Sequence, residues 1–302
     1  MVIPAFNEEG SLEALLSRLL TVNGCQAVVV VNDGSTDGTV RLLTSIGEKN
    51  PSLSILNLRV NSGKAVALKL GFEEALRHGA GTVVMMDADG QDEPAEIHRL
   101  IELIELGEAD LVTGARTQRK DAASKKFVSR IYNKATASIT GTPSKDLNSG
   151  LKTMKAEVAK ELIPFMYGEM HRYITVIAHW RGFRVKDVDV VHHPRLAGES
   201  KYNSNRFWRG FVDLLTIRFL LGYGARPNHL FAGMGLMLLA LGGGLLTWMA
   251  AVWLSGDSIG NRPALLAGVL FSIAGIQVLT IGLLAELMVF SRQKESSKRS
   301  TT

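Results

Sequence analysis

The sequence predicts an α/β domain built on a mostly parallel sheet flanked by helices, followed by an amphipathic helix and two transmembrane helices. Three observations carry this expectation. From residue 2 to about 114, short β-branched runs alternate with helically spaced segments, the pattern of βαβ units. Acidic turns follow several of those runs. Toward the C-terminus, two long stretches carry no charge at all.

In chain order, Val2-Ile3, Ala27 to Val31, Leu53 to Leu58, Thr82 to Met86 and Leu111 to Thr113 read as strands. Between them, Ser11 to Leu20, Thr39 to Lys49, Lys64 to His78 and Pro94 to Leu106 have helical spacing. The first strand is short beside the usual length of about 5–6 residues, which points to natural residues ahead of Met1. From Arg116 to Asn205 the pattern is mixed, with basic loops between shorter elements. Arg206 to Leu221 is amphipathic: Phe207, Phe211, Leu214 and Leu215 share one side, and Arg206, Arg209 and Asp213 another. Arg218 falls toward the apolar side and is expected to snorkel. The place of this helix ahead of an apolar run predicts an interfacial helix.

Leu230 to Leu254 and Ala264 to Ala285 contain no charged residue. Each is long enough to cross a hydrocarbon layer of about 30 Å. Arg218 and Arg226 precede the first run, Arg292, Lys294, Lys298 and Arg299 follow the second, and the connecting loop has only Arg262 as a basic residue. By the positive-inside rule both termini are cytoplasmic. The expected organisation is a catalytic domain over 1–205, an amphipathic helix and linker over 206–228, a two-span hairpin over 229–290 and a basic cytoplasmic tail over 291–302. Gly233, Gly235 and Gly242 to Gly244 permit close helix approach, within the hairpin or in a homo-oligomer.

Composition excludes several classes. The single cysteine, Cys25, rules out an internal disulfide. MVIPAFNEE has neither a basic n-region nor an apolar h-region, so no secretory signal is expected. The net charge of +5 suits phosphate-bearing ligands or anionic lipid. No aromatic stacking set interleaves the basic residues, which argues against nucleic acid.

The strongest local signal is MMDADGQDEP, residues 85 to 94, an apolar strand end followed by a helix. Ligands of open α/β sheets gather outside the carboxyl ends of the strands. Asp87 and Asp89 repel each other unless a cation lies between them or each is solvated. A hard ion such as Mg²⁺ or Mn²⁺ takes carboxylate oxygens and prefers phosphates for its remaining positions; Gln91 adds a neutral oxygen. VNDGSTDGT, residues 31 to 39, and IPAFNEE, residues 3 to 9, put two more acidic turns on the same edge. Asp33 can accept hydrogen bonds from a base or ribose, while Ser35, Thr36 and Asp37 are candidate caps for the next helix. There is no G-x-G-x-x-G, so hydride chemistry has no support. His171, His179, His192 and His193 match no zinc spacing; His193 stands out for preceding Pro194-Arg195.

Together with Asn61-Ser62-Gly63-Lys64, Gly114-Ala115-Arg116, Asp146-Leu147-Asn148-Ser149-Gly150, Pro194-Arg195 and Gly198-Glu199-Ser200-Lys201-Tyr202, these motifs resemble the family 2 inverting glycosyltransferases of GT-A fold. More narrowly, the order of motifs ahead of two spans is similar to that of the polyprenyl-phosphate hexosyltransferases, the group of dolichol-phosphate mannose synthase. The resemblance covers nearly the whole chain. It implies a nucleotide-diphosphate sugar donor, a polyprenyl-phosphate acceptor, Mg²⁺ or Mn²⁺ as cofactor, and a plasma or endoplasmic-reticulum-type membrane. Nucleotide contacts are then expected from Pro4, Ala5, Glu8, Asp33, Lys64, Asp87 and Ala88. Asp87, Asp89 and Gln91 are expected to hold the metal, and Asp89, Arg116 and Asp146 to serve catalysis. Arg116, Arg130, Arg195, Ser200 and Lys201 are the expected donors to the acceptor phosphate.

A phosphate monoester is largely dianionic at neutral pH and does not need a strong protein base. Asp146 is therefore expected to touch sugar hydroxyls, with a base role for hydroxyl acceptors as the alternative. Two other readings compete: a membrane glycosyltransferase building a polysaccharide or glycolipid on a hydroxyl, and a non-catalytic membrane scaffold.

Overall fold

The computed structural model describes residues 1–20, 27–116, 136–193, 205–223, 226–260 and 262–299. Cys25 lies outside them. Two compact units divide the chain, Met1–Leu214 and Leu215–Thr302.

In the first unit the strands are β1 (Val2–Ala5), β2 (Val28–Asn32), β3 (Leu53–Asn57), β4 (Thr82–Met85), β5 (Leu111–Ala115), β6 (Lys152–Lys155) and β7 (Val185–Asp189). They form one sheet in the order β3-β2-β1-β4-β6-β5-β7. Every pairing is parallel except those of β6, which runs antiparallel to both β4 and β5. The five expected strands are present within a residue or two of their expected ends. β6 and β7 are additions from the mixed region. Neither has an apolar run: β6 reads KTMK and β7 reads VKDVD.

The helices between the early strands are α1 (Glu9–Leu19), α2 (Thr39–Gly47), α3 (Lys64–Arg77) and α4 (Ile97–Glu105). α1 buries Leu12, Leu15, Leu16 and Leu19, spaced as one helical face. That face joins Ile3, Val28, Val30 and Leu43 in the core. The helix expected over Pro94 to Leu106 is instead a 3₁₀ turn, Pro94–Glu96, leading into α4. Glu93 caps that turn, its carboxylate accepting from the Ala95 N–H at 3.4 Å. Downstream come α5 (Ala156–Leu162), which packs on β4 and β6, and α6 (Ile174–Trp180), which packs on β5 and β7.

The amphipathic segment is helical as α7 (Asn205–Tyr223), and the division between the units falls inside it. Leu214 and Ile217 are buried, whereas Leu215 is 54% exposed. Arg218, expected toward the apolar side, is exposed.

The second unit contains α8 (Asn228–Leu254) and α9 (Pro263–Arg299). Asn228–Leu254 and Pro263–Ser291 are long and apolar enough to cross a membrane, and only 11% of the most apolar window in each is buried. The helices approach through glycine. A Cβ on Gly235 would lie 3.0 Å from the Gly275 carbonyl, one on Gly242 2.8 Å from the Gly268 carbonyl, and one on Gly282 2.7 Å from Phe231 Cβ. Gly268, Gly275 and Gly282 recur every seventh residue, so they form one stripe along α9 and bring the backbones close. At the end of the hairpin, the Asn228 N–H donates to Glu286 Oε2 at 3.2 Å, giving an otherwise orphaned helix-start N–H an acceptor. α9 continues as helix past the apolar stretch to Arg299, through residues expected to form a tail.

Candidate active site

β1, β2 and β4 end side by side, so their turns share the carboxyl edge of the sheet. The first two turns are bonded to each other. Asn7, in the left-handed region at φ 56°, accepts from the Thr36 N–H at 2.8 Å, and its own N–H donates to Ser35 Oγ at 3.0 Å. None of the three candidate caps takes the N-cap position of α2, which is Gly38; Asp37, just ahead of it, accepts from the Thr39 N–H at 3.0 Å. The Glu8 N–H donates to Thr39 Oγ1 at 3.0 Å, and the Glu8 carboxylate accepts from Ser11 Oγ at 2.8 Å.

Asp33 is 3% exposed. Its carboxylate accepts from the Ser62 N–H at 2.7 Å and the Gly63 N–H at 2.9 Å, pinning the turn ahead of α3. Its N–H donates to the Ala5 carbonyl at 2.8 Å. Asp33 thus braces the edge from which Lys64 rises, a connection that its position after a strand does not disclose.

Lys64, the first residue of α3, reaches across to Asp87 Oδ1 at 2.5 Å. Burial works against the charge of Asp87, but Lys64 above all, with Arg116 and His171, holds its carboxyl below the usual carboxylate range. Asp89 is buried, and its Oδ1 accepts from the Gln91 N–H at 3.1 Å. Gln91 is fixed in turn: its Nε2 donates to the His193 carbonyl at 3.3 Å, and its carbonyl accepts from the His193 N–H at 2.8 Å. His193 Nε2 lies 2.9 Å from Glu93 Oε2, and Glu93 also pairs with Arg18. His193 thus serves the turn of β4 as a strut.

Arg116 and Asp146 meet in a two-pronged ion pair, Nε to Oδ2 at 2.7 Å and Nη2 to Oδ1 at 3.0 Å. The Arg116 N–H also faces Oδ2, at 3.3 Å. Burial disfavours the Arg116 charge, yet the pair with Asp146 raises its pKa above the ordinary arginine value. Both carboxylate oxygens of Asp146 are therefore committed to one guanidinium, as in other fork-to-fork pairs. Beneath them lies Lys152, at the start of β6, whose Nζ donates to the carbonyls of Ser149 at 2.6 Å and Leu147 at 3.2 Å. Gly150 abuts Asp87.

The sheet edge thus brings together Asp33, Lys64, Asp87, Ala88, Asp89, Gln91, Arg116 and Asp146, with Pro4, Ala5 and Glu8 on the neighbouring turn. Arg130, Arg195, Ser200 and Lys201 lie outside the described residues. Among the described residues, no three His, Cys, Asp or Glu side chains converge as a metal cage. Two carboxylates and an amide are instead a hard, incomplete oxygen set, which suits a divalent ion that takes its other ligands from a diphosphate. Sequence reasoning missed Lys152, because a lysine in a strand reads as a solvated face.

A model of glycosyl transferase family 2 matches residues 1–170, more than half of the chain. The chain belongs to glycosyl transferase family 2. This family 2 glycosyltransferase is 34% identical to a dodecaprenyl-phosphate galacturonate synthase of Rhizobium johnstonii over 297 residues, 95% of this chain and 86% of the relative. It is 32% identical to an undecaprenyl-phosphate 4-deoxy-4-formamido-L-arabinose transferase of Pseudomonas aeruginosa, over 95% of this chain and 84% of that one. Among solved structures, glucosyl-3-phosphoglycerate synthase from Mycobacterium tuberculosis in complex with Mg²⁺ and uridine diphosphate superposes with a TM-score of 0.53 at 20% identity. That alignment covers 72% of this chain and 77% of the other and shows a shared fold, the GT-A arrangement.

Proposed function

We propose that this family 2 glycosyltransferase moves a hexosyl group from a nucleotide-diphosphate sugar to the phosphate of a polyprenyl phosphate, with inversion at the sugar carbon. One observation carries the reading: the similarity to relatives named for polyprenyl-phosphate transfer runs over 95% of the chain, through the apolar helices as well as the sheet domain. A hydroxyl acceptor or a scaffold role would not require that continuity.

The chemistry of the site supports this acceptor. A phosphate dianion is a nucleophile without assistance, and Asp146, gripped at both oxygens by Arg116, is poorly placed to serve as a base. The chain's task is then to align the phosphate oxygen with the anomeric carbon and to meet the charge of the leaving diphosphate. Lys64 and Arg116 bring cations to that edge. Asp87, Asp89 and Gln91 would hold a Mg²⁺ or Mn²⁺ ion, which would supply Lewis-acid neutralisation of the leaving group when bound. A single displacement on an α-linked donor gives a β-linked product.

The acceptor site extends in this reading to Arg130, Arg195, Ser200 and Lys201. The two apolar helices hold the catalytic domain at the membrane as a multi-pass hairpin. The basic residues flanking the hairpin favour a cytoplasmic catalytic domain.

The test is a donor screen with full-length protein in liposomes containing polyprenyl phosphate, reading released nucleoside diphosphate and glycolipid together. Stoichiometric appearance of both is expected with one uridine- or guanosine-linked hexose. Turnover only with a hydroxyl acceptor would overturn the assignment. Thiol labelling of Ser258→Cys and Ser296→Cys, each with Cys25→Ser, in sealed vesicles reads the orientation, with the first on the face opposite the second.

A further inference from the structure

Lys152 is a buried charge that donor and metal contacts leave unexplained. It opens β6 between Met85 at the end of β4 and Thr113 of β5, in the middle of the sheet, and is 1% exposed. An ammonium there is costly. Removing a cation from water costs several kcal/mol by general estimates, and a well-packed apolar side chain often serves a buried position as well or better. Burial pushes Lys152 down to about 8; Arg116 and Lys64 act in the same direction, while Asp146 and Asp87 oppose it.

What the ammonium does is visible in its acceptors. The carbonyls of Leu147 and Ser149 belong to the turn 146–150, the element that presents Asp146 to Arg116 and Gly150 to Asp87. A turn has no ladder of its own to fix its height over the sheet, and these two bonds supply that fixation from below. One rigid turn thereby sets two pieces of the site: the guanidinium on one side and the metal-side carboxylate on the other.

We propose that Lys152 is a positioning residue for sugar transfer, drawing the turn 146–150 onto the sheet so that Asp146 holds Arg116 and Gly150 seats Asp87. The proposal rests on glycosyl transfer at this site and not on the identity of the lipid. Lys152 acts through the turn, without touching the reacting atoms.

The experiment uses the full-length protein with Lys152→Met, Asp146→Asn and the double variant. Hydrogen exchange of the amides at 147–151 is followed without donor or acceptor, and transfer is measured on the same preparations. Lys152→Met is expected to accelerate that exchange and to lower kcat by about a hundredfold, the cost of a misplacement near 1 Å. The KM for the donor should move far less. In the Asp146→Asn background, Lys152→Met should cause little further loss, because the two residues act through one turn. Wild-type kcat per folded Lys152→Met molecule, or losses that multiply in the double variant, would overturn the proposal. Should Lys152→Met fail to fold, Lys152→Gln, which keeps one donor for the carbonyls, is read by the same two measurements and the same criteria. Absence of transfer by the wild type to any polyprenyl phosphate counts against the acceptor reading alone; the exchange readout needs no acceptor.

Discussion

Gly150 lies so close to Asp87 that a Cβ at this position would stand 2.5 Å from the Asp87 Cγ and 2.6 Å from Oδ2. Real Cβ atoms do not approach so closely, so any larger residue displaces the carboxylate or the turn. Gly150→Ala is therefore expected to leave a folded protein and to reduce transfer by about a hundredfold through misplacement of Asp87. Initial rates of nucleoside-diphosphate release at saturating donor check this. A Gly150→Ala enzyme with wild-type rates would show that Asp87 has room to move without consequence.

Asp89 contributes little apolar packing, and its Oδ1 accepts from the N–H of Gln91 in its own turn. Asp89→Ala is expected to abolish transfer while the protein remains folded in the membrane. Excess chelator should have the same effect on the wild type. Full activity in chelator would remove the metal from the scheme.

Asp110 joins three strands at the far end of the sheet. Its carboxylate accepts from Arg184 Nη2 at 3.0 Å and Nε at 3.1 Å, and from Lys155 Nζ at 2.8 Å. The Arg184 hydrogen bonds above all, then Lys155, hold its carboxyl well below the usual range. A carboxylate with a depressed folded-state pKa contributes stability that is present above its unfolded value, near 3.9, and is lost as pH falls through the folded one. The thermal midpoint of Asp110→Asn should thus lie below that of the wild type by a constant gap above about pH 5. The gap should narrow steadily as the pH falls below about 4 toward pH 3, because the loss begins at the unfolded value. A gap independent of pH over that range would mean that packing, not charge, is what the substitution removes.

In the hairpin, neighbouring glycines have opposite surroundings. A Cβ on Gly242 would meet Ser272 Oγ at 2.5 Å, whereas one on Gly243 meets nothing within 4 Å. Gly242→Leu should destabilise the packed hairpin by about 1–3 kcal/mol, as overpacking does. Gly243→Leu should be close to neutral. Heat-resistant folded fraction in detergent compares the two. Equal losses would indicate a helix contact different from the one described.

The sheet's first half was legible because β2 and its neighbours are short apolar runs bounded by turn residues, and α1 keeps its leucines on one face. β6 was not, since its Lys152 and Thr153 are polar residues that the fold buries, Lys152 against the carbonyls of the turn just ahead of it. β7 escaped for a different reason: it is an edge strand, half exposed, and its sequence VKDVD places the two valines three apart, without strand alternation. The end of α9 read as a tail because its charges mark exit from the apolar stretch, yet glutamine, lysine, glutamate and arginine are all good helix formers. At the site, the acidic turns could be found from spacing after strands. The pairs Lys64–Asp87 and Arg116–Asp146 could not, because each is made by two elements crossing in space.

Arg116 and Asp146 stand thirty positions apart in sequence, yet their side chains bond at 2.7 Å. The pair thus clasps two distant points of the chain together at the sheet edge. Closure entropy grows only slowly with length, with each doubling costing about 0.6 kcal/mol. A change of length between the clasp residues therefore adds little to the cost of bringing them together. Grafting the intervening segment from one relative into another, clasp intact, is the natural first step toward redirecting the enzyme to a different acceptor.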